Sequence, residues 1–321
     1  ELMTDIRMET TIHDLPKEII MHMLGYISPW NLFSLSTISK SWSDFIQISV
    51  TELDCSMRRL HPNFYSKIFN LINLQKLTML SSSTETTQLE GLTRLQNLHS
   101  FNIFDKYLDT VDRGVLQYIN QMRKLTSLNG SFVFNESHMG LLTQLRLLVN
   151  SPINASFFES LTVCTRLHSL VFYDDNDPRQ NSPIHLELYT NLTKFKIWNS
   201  FHKIDMAEVA RMTALKCLAL HYTDGMSNWH QFTSLTNLQE LTLSWFDSNI
   251  PQPVEYLTTA ANLTFLDVFH LYWTPEILGS LSKMTKLRSL RVNRMREISP
   301  AQFIPFTFVS HLTILGGTFF F

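Results

Sequence analysis

Leucine opens an L-x-x-L-x-L pattern eleven times along this 321-residue chain, at Leu74, Leu95, Leu125, Leu145, Leu167, Leu192, Leu215, Leu238, Leu263, Leu287 and Leu312. The intervals run from 20 to 30 residues, and a period in the twenties is too short to enclose a core of its own. Such units must stack. Three places before each of these leucines stands another apolar or semi-apolar residue: Leu71, Leu92, Met122, Leu142, Cys164, Tyr189, Met212, Leu235, Ala260, Met284 and Val309. A degenerate twelfth copy, from Val50 through Leu53 to Cys55, falls 24 residues before Leu74. The pattern predicts a short strand in each copy, with alternate side chains pointing inward and neighbouring strands pairing in parallel. Between strands lie helix-start signals: Asp205 before Met206, Thr274-Pro275-Glu276 and Ser299-Pro300. Short helices should therefore line the outer side. The predicted fold is an α/β solenoid with a concave parallel sheet, about 50 Å along its arc at about 4.8 Å per strand.

Over residues 50–321 the pattern resembles leucine-rich repeats, which implies a right-handed solenoid. An unrelated α/β solenoid stays open as the alternative, because the family's asparagine ladder is mostly absent at the place where it is sought. Eight residues after the first leucine stand Ser82, Asp175, Ser200 and Thr223 in some copies, but Ile103, Val133, Ile153, Phe246, Leu271 and Met295 in others. The turns of those copies must be satisfied by other groups.

Residues 12–46 have a different character. Pro16 and Pro29 suit first helical positions, Ser28 and Ser39 suit N-caps, and Ile19, Ile20, Met23, Leu24 and Ile27 make an apolar stripe. A module this small cannot hide Trp30, Trp42, Phe33 and Phe45 in a core of its own. It either caps the open end of the solenoid or presents a surface to a partner. Leu15-Pro16-x-Glu18-Ile19-Ile20, Ser28-Pro29-x-x-Leu32 and Ile38-Ser39-x-x-Trp42 resemble the F-box. That family carries a basic residue just before the tryptophan; Ser41 stands there in this chain, with Lys40 beside it. The resemblance implies an adaptor of Skp-cullin-F-box ubiquitin ligases. Leu15, Pro16, Ile19, Ile20, Met23, Pro29 and Leu32 would dock on the Skp-family subunit, the cullin would be reached indirectly, and the repeats would hold a target protein. The domains so read are an amino-terminal segment 1–11, an F-box 12–49 and a solenoid 50–321. The chain starts at Glu1 and stops at Phe321 within a repeat and without a polar cap, as a piece of a longer chain would.

Charge and motif content narrow the function classes. Lys plus Arg number 26 against 28 Asp plus Glu, so no global basic field favours nucleic acid. Cys55, Cys164 and Cys217 are odd in number and far apart, which suggests neither a disulfide framework nor a metal site and fits a reducing compartment, cytoplasmic or nuclear. No run of 18 apolar residues and no secretory layout is present. The sequons at Asn129, Asn135, Asn154, Asn191 and Asn262 read as chance matches without a secretory signal. No phosphate-cradle, nucleophile-elbow or zincin motif occurs, so no catalytic residue, cofactor or metal is expected. The acidic run Asp174-Asp175-Asn176-Asp177 reads as a solvated turn. Two non-enzymatic classes remain: a ubiquitin-ligase adaptor, and an interaction scaffold without that role.

If the first, fourth and sixth motif positions point inward, the third, fifth and seventh face the concave surface. The seventh positions offer a lateral row of Tyr173, Trp198, His221, Ser244 and Phe269, with Lys194 and Lys196 on the strand that carries Trp198. Aromatic and cationic groups of this kind anchor protein interfaces, and the target is expected here. The alternative is that these rings pack on one another or under a loop.

Overall fold

Each copy of the motif passes from a helix through a turn into a strand along apolar residues spaced three apart. Backbone N–H groups of that path donate three residues back, as in Leu71 to Ile68 and Leu74 to Leu71, both at 2.9 Å. The same step recurs from Met212 to Val209 and from Leu215 to Met212. These tight turns keep Ile68, Leu71, Leu74 and Leu77 on one side of the chain, all essentially fully buried.

The computed structural model describes residues 15–56, 62–81, 86–105, 113–130, 132, 143, 145–150, 164–173, 186, 189–198, 204–221, 228–244, 254–269, 275–293 and 311–315. The strands are β1 (Glu52–Cys55), β2 (Lys76–Ser81), β3 (Ser100–Asp105), β4 (Ser127–Gly130), β5 (Leu147–Asn150), β6 (Ser169–Tyr173), β7 (Lys194–Trp198), β8 (Cys217–His221), β9 (Glu240–Ser244), β10 (Phe265–Phe269), β11 (Ser289–Asn293) and β12 (His311–Leu315). They form one 12-stranded sheet in sequence order, every neighbouring pair parallel. The degenerate copy at Val50–Cys55 is thus a true first strand, with Leu53 opposite Leu77.

Two copies sit in a different register from the one read off the leucines. Phe101 lies opposite Leu77 and Ile103 opposite Met79, so the first position of that repeat is Leu98 and not Leu95. At the far end Leu312 lies opposite Leu290 and Ile314 opposite Val292, so Leu312 is a fourth position and not a first. The reason is the three-residue apolar path itself. Leu89, Leu92, Leu95 and Leu98 are all buried at the same spacing, and a leucine template slides along them until Phe101 fixes the strand. Ile103, counted as an unfilled ladder site, is instead a buried sixth position.

The missing ladder exists at another place. The residue just before the first leucine is asparagine in five described repeats, and its Nδ2 donates to a backbone carbonyl of the unit before it, a repeat in four cases and the last amino-terminal helix in the first. Asn73 reaches Ile48 (2.9 Å), Asn97 reaches Ile72 (3.0 Å), Asn191 reaches Thr165 (3.1 Å), Asn237 reaches Thr213 (2.9 Å) and Asn262 reaches Thr236 (2.8 Å). Where lysine replaces asparagine, its ammonium donates to the neighbouring ladder side chain: Lys124 to Asn97 and Lys286 to Asn262, both 2.6 Å. Each bond ties one repeat to the next at the turn entering the strand. The sequons at Asn191 and Asn262 are therefore ladder sites whose amide nitrogen is already engaged.

The outer side carries short helices and 3-10 turns, among them α4 (Pro62–Ile68), the 3-10 segment Thr86–Arg94, α5 (Arg113–Ile119), and helices at Met206–Val209, Val254–Leu257 and Pro275–Leu281. Asp205 caps its helix by accepting from the Ala207 N–H at 2.8 Å, and Pro275 opens its own. Ser299-Pro300 lies outside the described residues. Gly91 has no room for a Cβ, which would run into the Phe69 ring of the preceding repeat.

Three helices precede β1: α1 (Lys17–Gly25), α2 (Pro29–Leu35) and α3 (Lys40–Ser49). Ser28 Oγ accepts from Asn31 N–H (3.4 Å) and Ser39 Oγ from Trp42 N–H (3.2 Å), so both serines cap as their positions suggest. Pro29 is the first helical residue of α2, whereas Pro16 sits one place earlier, at the cap of α1. Ile20, Leu24, Leu32, Phe33 and Ile46 are buried in the same continuous core as the leucines of the repeats. The Phe33 ring meets Phe64 of α4 at a centroid distance of 5.6 Å.

The inward leucines and the ladder asparagines should differ sharply on substitution. Leu241→Asp is expected to abolish cooperative urea unfolding, because it places an unpaired charge at a fully buried site. Asn237→Ala, which orphans one carbonyl near solvent, should lower stability by about 1 kcal/mol in the same assay. A Leu241→Asp chain that melts at the wild-type urea concentration would show that the inward face is misplaced.

Candidate interaction surfaces

Along α1 and just beyond its two ends, residues that the core does not use recur at helical spacing. Leu15, Ile19, Met23 and Tyr26 recur at helical spacing and are exposed, with Ile19 49% and Tyr26 79% accessible. The opposite face buries Ile20 and Leu24. An edge-to-face contact of 5.0 Å between His22 and Tyr26 lies within the same helix. Ile38, after α2, is also exposed. Of the seven residues expected on the docking surface, Leu15, Pro16, Ile19 and Met23 are exposed. Ile20 and Leu32 are core residues, 6% and 3% accessible, and cannot touch a partner while the module is folded this way. The backbone of Pro29 opens α2, and its side chain lies outside the described set. Tyr26 and Ile38, not among those seven, are exposed too, and the four- and three-residue spacing from Ile19 through Met23 to Tyr26 is the sequence signal for the former. A cleft of about 500 Å³ separates these helices from the first strands, with Leu24, Ile27 and Leu32 on one side and Glu52, Asp54 and Lys76 on the other.

The second surface is the open face of the sheet. On β7 the burial alternates cleanly, with Phe195 and Ile197 inward and Lys194, Lys196 and Trp198 partly exposed. The next strand does not obey the same rule. The Trp198 and His221 rings stack at 3.5 Å with 7° between their planes, and His221 Nδ1 hydrogen-bonds Ser244 Oγ at 2.8 Å. Ala219, His221 and Ser244 are all buried, although they belong to the fifth and seventh positions. Thr78, Val171 and Asp267, further fifth positions, are buried as well. Lateral neighbours cover some of them: Asn102 Nδ2 donates to Thr78 Oγ1 at 3.1 Å, and the Arg291 guanidinium reaches Asp267 at 3.8 Å. Part of the row expected to be free for a target is thus packed on itself, with Trp198 and Phe269 left half-buried. Tyr173 is opposite Trp198 in the sheet, but its side chain lies outside the described set.

Burial shapes the chemistry of this face. It pushes the His221 imidazole down to about 4, with Lys196 acting in the same direction. It pushes the Asp267 carboxyl up to about 6, against the opposing pull of Arg291. The Arg291 guanidinium also lies 5.3 Å from the Phe265 ring centroid. Cys55 and Cys164 are raised to about 12 and Cys217 to about 11, chiefly by burial, so none is poised as a thiolate. Among the described residues no group of three potential metal ligands converges, and no helix is long and apolar enough to cross a membrane. The acidic run at Asp174–Asp177 lies outside the described residues.

The F-box domain model matches residues 12–50. No curated protein matches the chain. Among solved structures the chain is similar to an internalin from Listeria monocytogenes, at 14% identity over 90% of this chain and 81% of that one, with a TM-score of 0.55. A leucine-rich-repeat protein of Leptospira interrogans matches at 16% identity over 86% of each chain, with a TM-score of 0.40. The repeat region is a leucine-rich-repeat solenoid with an open parallel sheet. The chain thus places a segment that matches the F-box domain ahead of a region with the leucine-rich-repeat fold.

His221 and Asp267 give opposite pH signatures. A histidine held below its unfolded value of about 6.5 is stabilising above that pH, and its contribution is lost as pH falls toward 4, a difference of about 3 kcal/mol. A carboxyl held above 3.8 stabilises the fold only while protonated, and its contribution is lost as pH rises through about 6. Thermal melts between pH 4 and 7 should therefore show His221→Gln losing its deficit relative to wild type on acidification. Asp267→Asn should gain an advantage as pH rises. Parallel pH profiles for wild type and both variants would contradict the burial of these two side chains.

Proposed function

We propose that the protein is the target-recognition adaptor of a Skp-cullin-F-box ubiquitin ligase, with α1 docking on the Skp-family subunit and the repeats holding a target protein. The observation that carries this reading is the exposed line of Leu15, Ile19, Met23 and Tyr26 inside a segment that matches the F-box. Four large apolar side chains on and flanking one face of a short helix are costly to leave in water, and the other face of the same helix is already committed to the core. A cap for the solenoid alone would need only the buried face. Leu15, Pro16, Ile19 and Met23 from the sequence reading, with Tyr26 and Ile38 added, form the docking surface; Ile20 and Leu32 support it from behind. The cullin is engaged through the Skp-family subunit, and no catalytic residue of the chain itself takes part.

The test is affinity capture with a purified Skp-family subunit, followed by probing for the cullin. Ile19→Asp combined with Met23→Asp should weaken capture at least tenfold while the melting profile stays at the wild-type value, because neither side chain is in the core. Leu32→Ala should instead lower stability by about 2 to 5 kcal/mol, as loss of a buried leucine does. Undiminished capture by the double variant, or capture of the Skp-family subunit without the cullin, would favour an interaction scaffold without a ligase role.

A further inference from the structure

Among the described residues, charges on the open face of the sheet are paired toward its two ends and unpaired in its middle. Lys76 meets Glu52 at 3.6 Å, and Arg291 meets Asp267 at 3.8 Å. Lys194 and Lys196 have no carboxylate within ion-pair distance among the described residues, although both are only partly exposed. They occupy the same face of one strand, two residues apart, so their Cα atoms are about 7 Å from each other. Glu240 is two strands away in the row of Lys194. Two like charges at this separation repel, and an anion placed between them would relieve that repulsion. The positive potential is felt locally, since Lys196 disfavours protonation of His221 on the next strand.

Beside the lysines stands an aromatic platform that is already immobilised. Trp198 lies flat on His221, and His221 is locked by Ser244, so the indole need not be ordered when a ligand binds. Ala219 lies opposite Lys196 in the sheet and is buried.

We propose that β7 is the specificity-determining strand for the target, and that it takes an acidic peptide segment. Carboxylates of the segment sit on Lys194 and Lys196, and an adjacent apolar or aromatic side chain covers Trp198. The assignment rests on the reading that the repeats hold a protein target, and it adds the chemistry of that target. A nucleic acid would also meet lysine and tryptophan. Its affinity, however, grows with the number of phosphates neutralised, and two lysines on a chain of net charge -2 supply little of that.

The experiment uses the full chain and three fluorescein-labelled eight-residue probes, alternating Glu and Phe, Gln and Phe, or Lys and Phe, read by fluorescence polarisation. The acidic probe should bind at least tenfold more tightly than the neutral one and weaken as salt rises. Lys194→Gln with Lys196→Gln should remove that margin, and the paired Arg substitutions should keep it. Trp198→Ala should weaken acidic and neutral probes alike. Circular dichroism checks the fold of each variant. Equal binding of the three probes, no binding of the acidic probe by folded wild type, or a margin that survives the Gln pair would overturn the assignment. Displacement of the acidic probe by an eight-nucleotide uridine RNA at lower concentration than by the unlabelled acidic peptide would give the face to nucleic acid instead. Capture of the Skp-family subunit is measured on the same samples. Its loss with intact peptide binding would count against the adaptor reading alone, and the reverse against this one alone.

Discussion

No inward side chain of this protein can be buried by its own repeat. Leu241 lies between Leu218 on one side and Leu266 on the other, and the three are paired across parallel strands. Stability in such an array comes from the contact between neighbours, so each repeat is only as firm as the one beside it. The asparagine ladder works at the same interfaces. Asn237 and Asn262 tie their turns to the preceding repeat through backbone carbonyls, which fixes the spacing before the strands pair. Two different interactions, one apolar and one polar, thus enforce the same register.

The constraint has a consequence at the first strand, which has no repeat before it. Leu53 and Cys55 are nevertheless buried, because the helices α2 and α3 occupy the missing neighbour's place. Asn73 shows this directly, since its ladder bond goes to Ile48 in α3 where every later one goes to a repeat. The amino-terminal module therefore caps the solenoid while leaving apolar side chains exposed, and the two features fall on opposite faces of α1. Ile20 and Leu24 join the common core, whereas Ile19 and Met23 remain outside. A partner held by the outer face is held by a helix that cannot shift without opening the core beneath it. That suits an adaptor, which must present one bound protein at a fixed place relative to another.

The period of the fold was legible in the leucines, and so was the register of all but two copies. Leucines three apart run from the outer helix into the strand, so the motif can be laid on Leu95 or on Leu98 with nearly equal success. Phe101 and Ile103, which decide the matter, do not match a leucine template even though they fill the same space. The ladder was missed for a related reason. It was sought after the strand, whereas Asn73, Asn97, Asn191, Asn237 and Asn262 all stand immediately before the first leucine, and only Asn97 needs the corrected register to join the row. In the amino-terminal module the apolar stripe was legible, but its division into a buried and an exposed half was not. Ile19 and Ile20 are adjacent and chemically identical, and only the placement of the solenoid end decides which one turns inward.

The open face shows where periodicity stops being a guide to exposure. A side chain directed away from the core is free only if its lateral neighbours leave it so, and on strands about 4.8 Å apart a ring covers the next position. Trp198 covers His221 in this way, and the imidazole becomes neutral and fixed. Asp267 is covered in its turn, with one carboxylate oxygen facing Arg291 and the other left without a hydrogen bond. Apolar residues at these sites would cost less, since a buried charge or polar group rarely recovers its desolvation in full. What the polar groups add is directionality: the hydrogen bond from His221 to Ser244 holds the imidazole, and through it the indole, in one orientation. The face therefore combines immobilised rings with two lysines that no carboxylate among the described residues neutralises, so its polar groups fix orientation at a cost in stability.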